Sequence, residues 1–391
     1  MRTSDRCAPP TGRRAGAPRM SGLVHSVEPT YGGPPVVAST VCEALVEAGW
    51  ECRVLSADGG AAISRARRHQ MFGDPRIAWG GVAPLAGNRF GLSASIVAAI
   101  ERAIASADVV HVHQLWDAVA VLGGLAALRR GKPLVVTVHG LLHPWRVGAK
   151  PVRKKLFLHL FVRRILREAT YVHCLTEDER AFVLAAEPSA NTVVVPNCVP
   201  ARPVVPAHER QARRAVFVGR LSAEKGIGEL AQAWAEQRPL DWELVVAGSG
   251  SAPMESALRE AATRCRTIRF EGFVGPARRD ELLASSSLFV FPSRGEGASI
   301  AALEALAAGV PVLGTEALAM PEIERGGAGR MFPTTEALCA ELSTALASLD
   351  DATLHAWSAA ARGVHGRHFS PAVVAGRYRR LFTAALEARA T

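Results

Sequence analysis

The chain has 391 residues, 49% of them hydrophobic and 21% charged, a globular composition with length enough for two domains. Seven scattered Cys (7, 42, 52, 174, 198, 265 and 339) lack C-x-x-C or metal-ligand spacing, which fits free thiols in a reducing cytoplasm better than disulfides or zinc. No apolar run reaches the ~18 residues of a membrane span, and a net charge of +10 says nothing by itself about nucleic acid, which is not an expected partner.

Residues 1–19 carry five Arg against Asp5 in a Pro- and Gly-rich context. With no apolar h-region, this head reads as a disordered basic extension and not a secretory signal. From Leu23 onward, strand-like runs alternate with amphipathic helices such as Val36–Ala48 and Val119–Arg129, the pattern of parallel α/β layers. Strands are expected at Leu23–Val27, Cys52–Ser56, Val109–His113, Leu134–His139, Tyr171–Leu175 and Val193–Val195. The Pro-rich, patternless 201–212 reads as a linker. A second series follows at Ala215–Val218, Leu244–Ala247, Thr267–Phe270, Leu288–Phe291 and Val310–Leu313. The expected organisation is an N-terminal domain over 20–200, a C-terminal domain over 213–365, and a helix in 366–391 that packs back on the first domain.

The segment from Phe289 to Thr315 holds the strongest chemical signal. A strand breaks at Pro292, a loop with Gly295 and Gly297 follows, and an Ala-rich helix opens. Glu296 and Glu304 stand in this apolar run against the cost of burying a charge. Eight helical residues rise about 12 Å and return to within roughly 80° of the same face, which suits a ligand with hydroxyls at both ends and an anion between. A nucleotide sugar has that form. The helix N-terminus after Ser299 favours an anion, although Glu296 could also be a capping carboxylate and Glu304 a mid-helix salt bridge.

In residues 217–227, FVGRLSAEKGI, Arg220 and Lys225 follow a strand end and could neutralise a diphosphate. Alone, they could equally be solvated surface cations. Near the first strand, Tyr31-Gly32-Gly33 precedes a helix and lets backbone N–H groups approach a phosphate. It is not G-x-G-x-x-G, so no nicotinamide cofactor is indicated. His139 ends a strong strand before Gly140 and is a candidate for binding a substrate hydroxyl or steadying developing charge. His111, in mid-strand, reads as structural; His113 is undecided. No metal-ligand spacing and no D-x-D appears, so neither metal nor cofactor is expected. Residues 150–167 combine seven Lys/Arg with apolar residues at near-helical spacing. They read either as a helix resting on anionic lipid or as one packing inward with a solvated basic face.

These segments together resemble the retaining glycosyltransferases of family 4, which have the GT-B fold. The resemblance runs from about Leu23 to the last helix. It rests on Pro292-Ser293-Arg294-Gly295-Glu296-Gly297, on Glu304-Ala305-Leu306-Ala307-Ala308-Gly309-Val310-Pro311-Val312, on Gly219 to Gly226, and on Pro196-Asn197. It implies two doubly wound Rossmann-like domains facing each other across a cleft. It also implies that Glu304 binds the ribose hydroxyls and Glu296 the transferred sugar. Arg220 and Lys225 would hold the diphosphate with backbone from Gly297, Ala298, Ser299 and Ile300, Gly33 would approach the phosphate, and His139 would line the reacting centre. His139 to Trp145, with the basic helix after it, is similar to members that build bacterial exopolysaccharide and lipopolysaccharide on lipid-linked acceptors. The expected enzyme is cytoplasmic, on occasion peripheral to the plasma membrane, and moves a sugar from a nucleotide diphosphate with retention. With no carboxylate evident as nucleophile, same-face substitution is the expected route; a nucleotide-sugar epimerase of the same architecture is the alternative. Two departures stand out: the usual Glu-Gly-Phe-Gly is Glu296-Gly297-Ala298-Ser299, and the usual Asn-Gly is Asn197-Cys198.

Overall fold

The computed structural model describes residues 16–28, 33–68, 74–82, 93–148, 156–203, 205, 210, 213–239 and 241–388. The chain divides into two compact units, one of residues up to Pro196 plus those from Val374, the other Asn197–Val373.

The first unit is built on a parallel sheet of β1 (Arg19–Val24), β2 (Glu51–Ser56), β3 (Ala78–Gly81), β4 (Val109–His113), β5 (Leu134–Thr137), β6 (Tyr171–Cys174) and β7 (Thr192–Val194). Its strand order is β3-β2-β1-β4-β5-β6-β7. The order reverses between β1 and β4, the switch point at which doubly wound sheets bind ligands beyond their carboxyl ends. β4 and β5 are buried along their whole length, as strands covered on both faces must be, hence their unbroken apolar runs.

Most strand ends fall within one or two residues of the sequence expectation, and the larger differences are in β1, β3 and β5. β1 begins at Arg19, not Leu23, and ends at Val24. The polar Ser21-Gly22 step hides it from a hydrophobicity reading, yet Ser21 Oγ donates to the buried Ala103 carbonyl at 2.9 Å. Arg19, placed in the disordered head, pairs in register with Glu51 and donates its backbone N–H to Asp108 at 3.0 Å; residues 1–15 of that head lie outside the described residues. β5 stops at Thr137, because His139 and Gly140 turn left-handed at φ 58° and 69° and carry the chain off the sheet. β3 was not anticipated: two of its four residues are Gly, and only Trp79 supplies bulk.

The second unit has β8 (Arg214–Val218), β9 (Glu243–Ala247), β10 (Ile268–Gly272), β11 (Leu288–Phe291), β12 (Val312–Thr315) and β13 (Gly329–Phe332), in the order β10-β9-β8-β11-β12-β13. Here the switch point lies between β8 and β11. Phe217, Phe289 and Phe291 stack across it, with centroids 5.2 and 5.3 Å apart, and anchor the core. β13 was missed for the reason that hid β3: it is a short edge strand led by a glycine.

Within the segment expected to be a linker, Arg210 has a structural part; residues 204, 206–209, 211 and 212 lie outside the described residues. The buried Arg210 guanidinium donates to the carbonyls of Ala308 (3.0 Å) and Gly309 (2.9 Å), and its Nε donates to Val205 (3.0 Å). It thereby satisfies carbonyls that the Ile300–Ala307 helix leaves at its C-terminal end. Burial lowers its pKa to about 10, still cationic at neutral pH. At the C-terminus, residues 366–373 stay with the second unit, where the Val199 N–H donates to Phe369 O at 3.3 Å. From Val374 on, the Pro371–Glu387 helix belongs to the first: Tyr378 Oη donates to Pro196 O at 3.1 Å, and the Phe382 ring lies 5.1 Å from that of His111.

Arg210→Ala strands the Ala308 carbonyl, while Gly309 O keeps the Ser358 hydroxyl at 2.8 Å, and the expected loss is about 1–3 kcal/mol of stability. Chemical denaturation checks this. A midpoint equal to wild type would mean that Arg210 holds nothing in place.

Candidate functional site in the second unit

The two loops that flank the switch point, after β8 and after β11, are fastened to each other. The Arg294 N–H donates to Glu224 O at 2.8 Å, and Ser293 Oγ donates to the same carbonyl at 3.2 Å. Gly226 sits at φ 64°, and a Cβ there would stand 2.1 Å from Pro292 O, so the glycine of the Glu-Lys-Gly run is required by close approach. Thr335 Oγ1 donates to Pro292 O at 2.7 Å from a third element.

This fastening brings Lys225 and Glu296 together, with Nζ 2.5 Å from Oε1 and both side chains over nine-tenths buried. Glu296 therefore does not cap the helix. The cap is Ser299, whose side chain accepts from Ala302 N at 3.3 Å. The N–H groups of Ile300 and Ala301 are among those a helix leaves without intrahelical partners. Arg220 is half exposed and only 3.9 Å from Glu224, a loose contact that leaves its guanidinium able to move to a ligand.

Ala298 takes φ 79°, costly for a residue with a Cβ. Asn197 holds it there, donating from Nδ2 to Ala298 O at 3.0 Å. The Pro196-Asn197 motif thereby has a structural part, fixing the carbonyl of Ala298. Cys198 and Ser299, where glycine is usual, are not in the left-handed region, so their side chains cost no strain.

Glu304 is almost fully buried and makes no pair within its own helix. Arg202 Nη2 donates to its Oε1 at 2.8 Å, and Arg279 Nη1 lies 3.1 Å from the same oxygen. Burial raises its pKa, while Arg279 and Arg202 hold it down. Arg202 and Arg279 were not foreseen. Their signal is spatial, since Arg202 meets Glu304 across 102 residues of chain.

Candidate residues of the first unit

His139 is buried, and its Nε2 lies 2.9 Å from His113 Nδ1. His111 Nε2 meets Thr137 Oγ1 at 2.7 Å, and the same hydroxyl meets His173 Nδ1 at 2.9 Å. His111 is thus structural, as expected, while His113 supports His139. The His139–Gly140 turn is pinned by Glu179, which accepts from the N–H groups of Gly140 and Leu175. Burial lifts Glu179 to about 7. Burial first, then the neighbouring imidazoles, holds His139 well below 6.5; His113 falls to about 3 and His173 to about 4. His139 is therefore a neutral hydrogen-bonding group at pH 7.

Gly33 opens the Gly33–Glu47 helix; Tyr31 and Gly32 lie outside the described residues. So do residues 149–155, the first part of the basic segment. After them, Leu156 and Leu160 are exposed and Phe161 is partly so, while Val162, Ile165 and Leu166 are buried. Among the described residues no group of His, Cys, Asp or Glu could hold a metal ion, and no helix is long and apolar enough to cross a membrane.

Known proteins resemble the chain along both units. The family model for Glycosyltransferase Family 4 matches residues 31–202, and that for Glycosyl transferases group 1 matches 212–348. GDP-mannose:cellobiosyl-diphosphopolyprenol alpha-mannosyltransferase of Xanthomonas campestris is 29% identical over 66% of this chain and 66% of its own. 2-Deoxystreptamine glucosyltransferase of Streptomyces kanamyceticus is 34% identical over 53% of this chain and 59% of its own. The chain thus spans about two thirds or less of these relatives. Among solved structures, Anabaena HepE with UDP-glucose superposes with a TM-score of 0.74 at 18% identity, over 94% of this chain and 99% of that one. Sucrose-phosphate synthase from Thermosynechococcus elongatus gives 0.73 at 19% identity, over 94% and 100%. At such identities these two show the fold alone.

Two doubly wound units with these strand orders are the GT-B fold, and the class is that of sugar-transferring enzymes. The chain belongs to glycosyltransferase family 4.

Because the histidines are held neutral, the unfolded chain binds more protons than the folded one below 6.5. Their share of stability is complete above that pH and is lost as pH falls toward the folded values near 3 and 4. Glu179, raised to about 7, works in the opposite sense between its ordinary 4.5 and 7, and Glu304 and His25 are raised as well, but the four buried imidazoles act together with carboxylates that ion pairs hold low, such as Glu271. Thermal midpoints should therefore drop from pH 6.5 to pH 4, with a shallower drop in His111→Leu; parallel curves for the two proteins would contradict this.

Proposed function

We propose that this glycosyltransferase moves a sugar from a nucleotide diphosphate sugar to a saccharide acceptor with retention of configuration, without metal or cofactor. The observation that carries the proposal is the Lys225–Glu296 pair, set between the loops after β8 and β11 beside an open helix N-terminus. Glu296 takes hydroxyls of the transferred sugar, and Glu304 those of the ribose. Arg220, the remaining donors of Lys225 and the backbone from Gly297 to Ile300 receive the diphosphate, on which charge grows as the glycosidic bond breaks. The leaving phosphate accepts the acceptor's proton on the face it departs from. His139, uncharged, binds a substrate hydroxyl, and Gly33 gives backbone access to phosphate.

The relative from Xanthomonas campestris acts, by its name, on a diphosphopolyprenol-linked acceptor. A lipid-linked acceptor in surface polysaccharide synthesis is the reading we favour here. The exposed Leu156, Leu160 and Phe161 support contact with a bilayer face, apolar side chains entering; Arg163, Arg164 and Arg167 beside them are about half exposed and paired with Glu187 and Glu168, so headgroups would have to share them.

A screen of UDP-, GDP- and ADP-sugars, each with and without lipid-linked and soluble saccharides, tests the reaction. Transfer with an unchanged anomer is expected; a donor epimer formed without acceptor would replace the reading. Arg220→Ala, at a half-exposed position that leaves the fold intact, should lower kcat about 10²–10³-fold. Near-normal turnover would remove Arg220 from the diphosphate site.

A further inference from the structure

The environment of Glu304 is more specific than ion pairing requires. Arg202 and Arg279 arrive from different places in the chain, the Pro-rich stretch before β8 and the Pro276–Ala284 helix, and both end on Oε1. Arg202 is itself held by Asp280, Nη1 donating to Oδ2 at 2.9 Å, and Arg279 leans on Asp280 Oδ1 at 3.4 Å. Two cations and two anions thus close a balanced cluster in which the carboxylate cannot rotate without losing two contacts. With Oε1 committed, Oε2 is the oxygen left to accept a hydroxyl.

We propose that Arg202 and Arg279 are positioning residues that keep Glu304 ionised and aim Oε2 at the 2′- and 3′-hydroxyls of the donor's ribose. The inference rests on the reading of Glu304 as the ribose-binding group. A carboxylate so deeply buried tends to take up a proton, and a neutral carboxyl is the weaker acceptor for a hydroxyl. Burial is the largest influence on Glu304, with Arg279, Arg202 and then Asp280 following. On the other packed elements, His365 is engaged with Val199 O at 2.9 Å and Arg362 lies against Gly309, beyond the helix's C-terminal end. The two guanidiniums are therefore the cations that hold the charge.

The test is calorimetric titration of the full chain with UDP, GDP and ADP and with the 2′-deoxy form of each, from pH 6 to pH 9, with inorganic pyrophosphate as a probe that has no ribose. Wild type should prefer the ribose form of the base it accepts by about tenfold or more, and Glu304→Gln should abolish the preference. Arg202→Gln and Arg279→Gln should each cut it severalfold at the acid end of the range and regain part of it as pH rises. Pyrophosphate affinity should be unchanged, and Arg202→Lys should restore most of the preference. Preference lost in Glu304→Gln but intact in both arginine variants at every pH would overturn the inference and leave the ribose reading standing. If wild type does not discriminate ribose from deoxyribose, or Glu304→Gln keeps the preference, the ribose reading fails and takes the inference with it. A merely structural role would weaken pyrophosphate binding alike and show no recovery with pH.

Discussion

The second unit is organised around an ion pair that water does not screen. Lys225 and Glu296 are each more than nine-tenths buried at 2.5 Å. Desolvating two charges costs several kcal/mol per ion, which mutual attraction repays only with good geometry and added hydrogen bonds. The surroundings provide that geometry. Glu224 O receives two donors from the loop after β11, Gly226 passes against Pro292, and Lys225 Nζ lies 5.8 Å from the Phe291 ring centroid. An apolar pair could fill this space at no greater cost, so retention of charge at a switch point is better explained by a ligand than by stability.

The first unit handles charge in the opposite way. Four imidazoles crowd β4, β5, β6 and the turn after β5, and none has a buried carboxylate as its direct partner. Hydrogen bonds through Thr137 and between rings satisfy part of their polarity, and burial keeps them uncharged. The buried Glu179 is spent on backbone N–H groups and fixes the left-handed turn at His139 and Gly140. A rigid neutral imidazole can donate or accept toward a sugar hydroxyl without bringing a counter-charge, an arrangement compatible with a reaction whose charge develops on phosphate.

What was legible in the sequence follows from which interactions are local. Glu296 and Glu304 stood out because a carboxylate in a run such as FVFPSRGEGASIAALEALAAG defies the burial trend. β4, β8 and β11 at the switch points were legible because two-sided burial demands continuous apolar residues. β3 and β13 were not, since edge strands of four residues with glycine carry too little side chain to show a period. β1 was displaced by Ser21-Gly22, whose polarity is satisfied only by a carbonyl 82 residues away. The partners of Glu304 were invisible for the same reason. In sequence, Arg202 is one more charge in a Pro-rich stretch and Arg279 one of a helical Arg pair. Only the folded chain places both on a single carboxylate oxygen.

The charge balance of the unliganded site also constrains how a donor enters. Glu304, Asp280, Arg202 and Arg279 form a neutral set, and Lys225 with Glu296 forms another, so neither offers net positive potential to a diphosphate. On the proposed reading, the attraction would come from Arg220, whose contact to Glu224 is long, from the first-turn N–H groups after Ser299, and from Lys225 donors beyond the one given to Glu296. If a sugar's hydroxyls then draw Glu296 away, Lys225 is released toward the phosphate as the sugar is seated. On this account, Lys225 supplies its full charge only when the transferred sugar and the diphosphate are present together. A nucleoside diphosphate alone would leave the pair closed, which separates recognition of the nucleotide by Glu304 from activation of the sugar by Lys225.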